Sequence, residues 1–140
     1  MRNQALLARY VAELEARGLR VARTPDFAQV VVFDLPLPRD RGRWTDATGG
    51  EIFTVAVSFS IPVDFPYAAP GVGFTHPQSA IHIPRIQLNG RDLRNLHACP
   101  HEPWHWLCFQ QLDWDAEHGT LATLVNTVSL SILDRAGYLA

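Results

Sequence analysis

The stretch EIFTVAVSFSI at residues 51–61 alternates strictly: Phe53, Val55, Val57, Phe59 and Ile61 fall on one parity, with Ile52 adding to the apolar set. Thr54, Ala56, Ser58 and Ser60 fall on the other. A period of two is that of a β-strand, here with one buried and one lighter face. A sheet of that kind needs a cover, and two helical patterns can supply it. Leu6, Leu7, Tyr10, Val11 and Leu14 recur at three- and four-residue steps, with Gly18 as a natural stop. Leu121, Leu124, Val125, Val128, Ile132 and Leu133 repeat the pattern from Thr120 to about Ala136. Between the helices, RVAR at 20–23 can start a strand and AQVVVFDL at 28–35 is a β-branched run ended by Pro36 and Pro38. Residues 39–50 read as an exposed hairpin loop, and PGVGFTH at 70–76 as a fourth strand. The span 76–119 shows no clear period, and a stretch that long without regular structure usually carries function. The expectation is one α+β domain over residues 1–140: an N-terminal helix, a four-stranded antiparallel meander, an irregular segment and a C-terminal helix.

Composition narrows the function. With 140 residues, 47% hydrophobic and 19% charged, the chain can bury a proper core without staples. A formal charge of −2 offers no electrostatic footprint for nucleic acid or an anionic membrane. No secretory leader is expected, because Arg, Gln and Glu interrupt the first apolar run. Leu121 to Leu133 is too short to span a bilayer and carries Asn126. Two cysteines nine positions apart suit a reducing, cytoplasmic setting with free thiols.

The irregular segment ends in HACPHEPWHWLCFQQLDW (97–114), which holds three of the six His, both Cys and three of the four Trp. One reading is zinc, with His97, Cys99, His101, His105 and Cys108 as ligands. Against it, no C-x-x-C or C-x-x-H knuckle is present, and Pro100 and Pro103 oppose a helix over 101–105. The H-E-x-x-H pattern of metallohydrolases would need the second His one place earlier. A second reading is structural: judged alone, Cys108 between Leu107 and Phe109 is a buried core thiol, and Trp104, Trp106 and Trp114 add core area.

A third reading comes from resemblance. DFPYAAPGVGF (64–74) is similar to the Tyr-Pro-x-x-x-Pro-x-Val-x-Phe turn and strand of ubiquitin-conjugating enzymes. IHIPRIQLNG (81–90) resembles their Ile-x-His-Pro-Asn-Ile-x-x-x-Gly segment, and Leu107-Cys108 their Ile-Cys-Leu. Trp114 parallels the tryptophan that follows the cysteine, and TLATLVNTVSLSIL (120–133) the downstream helix. The resemblance implies a ubiquitin-conjugating fold, with residues 91–106 an insertion at the active site. The main departure is the family's His-Pro-Asn, which reads His82-Ile83-Pro84-Arg85, and the two further C-terminal helices of eukaryotic members are not expected. His76-Pro77-Gln78 is a second possible match, closer to the fourth strand than the family places it. This minimal form most resembles the ubiquitin-conjugating-like proteins of bacterial anti-phage operons. Some of these are CBASS-like, built around a cyclic-oligonucleotide synthase; others attach a ubiquitin-like modifier. The implied partners are a ubiquitin-activating-like enzyme and either that modifier or the synthase, with no nucleic acid, no membrane and no cofactor.

A thiolate is both a good nucleophile and a good leaving group, so Cys108 can accept an acyl group and pass it on. The oxyanion that develops needs a donor, and Arg85, His82, Asn89 or backbone N–H groups are available. Arg85 cannot accept a proton; His82, His101 or His105 can. Asp113 can orient or deprotonate an incoming lysine, while Trp106 and Trp114 cover the site. The plain alternative for Arg85 is an ion pair with Asp92 or Asp113. A non-catalytic binding module of the same fold is the remaining alternative for the whole chain.

Overall fold

The computed structural model describes residues 3–65, 67, 81–93, 96–98, 104–107, 117 and 119–137. Helix α1 (Gln4–Ala16) turns Leu7, Tyr10, Val11 and Leu14 inward, as its spacing requires. Asn3 caps it by accepting from Leu6 N at 3.2 Å. At the other end Gly18 N donates to Glu15 O (3.0 Å) and Leu19 N to Leu14 O (3.3 Å), the paired bonds of a Schellman stop. That stop needs the positive φ of Gly18 (+87°), and nothing lies within 4 Å of where a Cβ would sit. Gly18→Ala is therefore expected to cost about 1 kcal/mol through backbone conformation alone, read as a lower denaturation midpoint with an unchanged m-value.

Among the described residues the main sheet has six strands, all paired antiparallel: β1 (Val21–Arg23), β2 (Gln29–Pro36), β4 (Thr54–Ser60), β5 (Ile81–Pro84), β9 (Trp104–Leu107) and β8 (Leu96–Ala98), in that spatial order. Val30, Phe59 and Ile81 stand opposite one another across three strands, as do Val32 and Val57 across two. These side chains join Ile83, Leu7, Leu14, Leu121, Leu124 and Val128 in one core. Helix α2 (Leu121–Gly137) begins with a reciprocal cap, in which Thr123 N donates to Thr120 Oγ1 and Thr120 N to Thr123 Oγ1, each at 3.2 Å. The Tyr10 hydroxyl donates to Gly119 O at 3.4 Å, tying α1 to the start of α2. The molecule is thus a mixed α+β structure with an N-terminal helix, an antiparallel sheet and a C-terminal helix. No helix among the described residues is long and apolar enough to cross a membrane.

Several expectations need correction. Among the described residues the sheet has six strands rather than four, and the fourth strand expected at 70–76 lies outside them. The span expected to be irregular contributes β5, β8 and β9. It also holds the hairpin of β6 (Gln87–Leu88) and β7 (Arg91–Asp92), which pairs with β3 (Trp44–Thr45) in a second, three-stranded sheet. The 39–50 loop is not wholly exposed, because β3 carries Trp44 inward to 2% exposure, with its Nε1 donating to Pro38 O at 2.9 Å. The alternation of β4 holds for Val55, Val57, Phe59 and Ile61 but fails at Phe53, which is 48% exposed. On the lighter face, Ser58 is fully buried and its hydroxyl accepts from Gln29 Nε2 at 2.8 Å. A buried hydroxyl with a partner is compatible with either face of a sheet.

β2 carries an irregularity between Val32 and Leu35, where Asp34 adopts a positive φ of 64°. Arg20 braces it: Phe33 N donates to Arg20 O at 2.8 Å and Arg20 Nη2 to Asp34 Oδ1 at 3.0 Å. The Arg20 guanidinium holds the Asp34 carboxyl below the usual carboxylate range.

Candidate functional site

The described part of the candidate site is built on β5, β9 and the β6–β7 hairpin. β5 and β9 pair as His82 with Trp106, Ile83 with His105 and Pro84 with Trp104. Residues directly opposite on antiparallel strands lie on the same side of the sheet. His82 therefore belongs to the row Val31, Ser58, His82, Trp106, His97, which crosses five strands. His105 belongs to the other parity, opposite Ile83 and Ala98. Two of the three histidines that the sequence offers as proton carriers are thus separated by the sheet. His105 Nδ1 is buried and has no hydrogen-bond partner among the described residues.

Parity also bears on the zinc reading. His97 pairs with Trp106 and His105 with Ala98, so the two histidines occupy rows of opposite parity. No metal-binding cluster of His, Cys, Asp and Glu occurs among the described residues. Cys99, His101, Cys108, Asp113 and Trp114 lie outside those residues, and the described chain reaches Leu107, immediately before Cys108.

Arg85 follows β5 and is held in a fork by Asp92 on β7: Nε donates to Oδ1 at 3.0 Å and Nη2 to Oδ2 at 3.1 Å. Gln87 Nε2 adds a third donor to Asp92 Oδ1 at 3.2 Å. Hydrogen bonding from Arg85 lowers the Asp92 carboxyl pKa, and His105 adds a smaller electrostatic push in the same direction. Of the two partners considered for Arg85, the structure pairs it with Asp92.

A carboxyl with a lowered folded pKa stabilises the fold above its unfolded value, near pH 4, and loses that contribution as pH falls through the folded value. Asp34 and Asp92, both lowered by arginine partners, should make the midpoint of unfolding fall as the buffer is taken below about pH 4. A pH series of denaturant melts checks this, and Asp92→Asn should flatten the acid limb.

Asn89 is occupied differently. It and Gly90 have positive φ (+52° and +79°), as the two central residues of a type I′ hairpin require. The Asn89 side-chain Oδ1 accepts from Arg43 N at 2.9 Å, Nδ2 reaches Arg41 O at 3.5 Å, and the backbone N donates to Arg43 O at 2.9 Å. Asn89 thus clasps the 41–43 loop rather than pointing to free space. The Asn-Gly pair is a strong hairpin signal in the sequence, and it could have revealed β6, β7 and the Gln87–Asp92 contact.

The described architecture defines a class no narrower than α+β with an antiparallel sheet. No protein-family model, no curated protein and no solved structure matches the chain.

Proposed function

We propose that this chain is a ubiquitin-conjugating-like acyltransferase of bacterial anti-phage defence. It would take a protein C-terminus, that of a ubiquitin-like modifier or of a cyclic-oligonucleotide synthase, as a thioester on Cys108 and pass it to an amine. The observation that carries this reading is the pairing of β5 with β9. The segment resembling the family's His-Pro-Asn motif and the one leading to Leu107-Cys108 are distant in sequence and neighbours in the sheet.

The chemistry balances without a cofactor. The Cys108 thiolate attacks the activated carbonyl and displaces its leaving group; an amine then attacks the thioester, loses a proton and expels the thiolate. With Arg85 paired to Asp92 and Asn89 in its clasp, this reading gives the oxyanion to backbone N–H groups. His82 stands opposite Trp106 on β9, and this reading takes it as the proton acceptor.

The test is incubation with an activating enzyme, ATP and the modifier or synthase encoded beside the gene. Wild type and Cys99→Ala should form an adduct that thiol reductant removes, and Cys108→Ala should form none. An equal adduct on Cys108→Ala would overturn the reading. His82→Ala should retain loading yet slow amide formation by about a hundredfold, the usual scale of a lost acid–base group.

A further inference from the structure

The loop between β2 and β3 presents a second feature that the thioester chemistry does not use. Arg39–Arg41 form one 3-10 turn, and the Arg39 guanidinium lies 4.3 Å from the centre of the Phe53 ring. Phe53 is 48% exposed although its parity on the strand is that of the core. Its carbonyl accepts from Leu37 N at 3.0 Å, so the ring is held at the base of the loop.

The frame is clamped at both ends. Trp44 Nε1 holds the Pro38 carbonyl at 2.9 Å, and Asn89 holds the Arg41 carbonyl and the Arg43 N–H. Among the described residues Arg39 and Arg41 form no ion pair, whereas Arg43 has Glu51 at 3.8 Å. A guanidinium stacked on an aromatic ring keeps its edge free, and its planar fork fits a carboxylate bidentately. Holding the loop in advance removes part of the ordering cost of binding.

We propose that Arg39, Arg41 and Phe53 form a docking surface for an acidic segment of a protein partner. Carboxylates of that segment pair with the two guanidiniums, and an apolar side chain beside them rests on the exposed edge of Phe53. Asp40 stands between the two arginines. It breaks the positive charge of the loop into two separate points, which suits spaced carboxylates rather than a continuous phosphate backbone. The surface is independent of the Cys108 reading, since binding alone tests it.

The probe is a fluorescein-labelled peptide, Glu-Asp-Leu-Glu-Asp-Phe-Glu, titrated with the full chain and followed by anisotropy and by amide chemical shifts. The expected result is a submillimolar Kd, weakened by salt, with shifts centred on residues 37–53. Arg39→Ala with Arg41→Ala should weaken binding about tenfold or more, and Arg39→Lys should also weaken it because the fork is lost. Both variants are exposed and should melt like wild type. The proposal is overturned by absence of binding at millimolar protein, by an unchanged Kd in the double variant, or by full rescue with lysine. It is equally overturned if an oligothymidylate of about twelve nucleotides binds more tightly than the peptide.

Discussion

Trp44→Ala is expected to destabilise the protein by about 3–5 kcal/mol, the scale of a large aromatic removed from a core. At about 3 °C per kcal/mol for a domain of this size, the melting temperature should fall by roughly 10–15 °C. The reason is that Trp44 serves three connections at once. Its ring is 2% exposed within the core, its backbone pairs with Leu88 of β6, and its indole N–H donates to Pro38 O. Truncation leaves a cavity between the small sheet and the main core and orphans the Pro38 carbonyl. Trp44→Phe restores most of the apolar contact but not the donor, so it should cost only about 1–2 kcal/mol. Denaturant unfolding followed by circular dichroism separates the two variants; a Trp44→Ala protein as stable as Trp44→Phe would show that the cavity collapses.

The second large effect is expected at Gly42, which adopts φ +139°, a conformation that essentially only glycine tolerates. A Cβ there would also collide with the Asn89 carboxamide, the group that clasps Arg41 and Arg43. Gly42→Ala should therefore cost about 2–3 kcal/mol, well beyond the cost of about 1 kcal/mol at Gly18, where the space is open. A double-mutant cycle isolates the collision. Asn89→Gly suits the positive φ at that turn and removes the carboxamide, so the double variant should lose less than the sum of the two single ones. Strict additivity would mean that the whole penalty at Gly42 is backbone strain. The same variant bears on the docking surface, because an unclasped 39–43 loop should bind the acidic peptide less well.

How much was legible can be seen element by element. Helix α1, its glycine stop, helix α2 and the long strands β2 and β4 follow from patterns that extend over seven residues or more, enough for a period to stand out. The strands β5 to β9 run two to four residues each. A strand that short has no period of its own and is defined by its partner, which only the folded chain supplies. The Asn89–Gly90 turn was the one local sign of that region, and it sat inside a motif that invited a catalytic reading. Phe53 misled for a related reason: alternation identifies a face, but whether the face is covered at the strand's end depends on the loop that comes back over it.

The candidate site divides in the same way. The family resemblance nominated Cys108 as nucleophile, and residue chemistry offered His82, His101 and His105 as proton carriers and Arg85 with Asn89 as donors. Tertiary structure decided that Arg85 is held by Asp92 and that Asn89 clasps a neighbouring loop. It also decided that His82 and His105 belong to opposite parities of the sheet. Side-chain chemistry is intrinsic to each residue, so the sequence determined the kinds of reaction open to this chain, along with its helices and longest strands. Pairing register and hydrogen-bond partners are relations between distant residues, and only the folded backbone sets which groups meet and which are held apart.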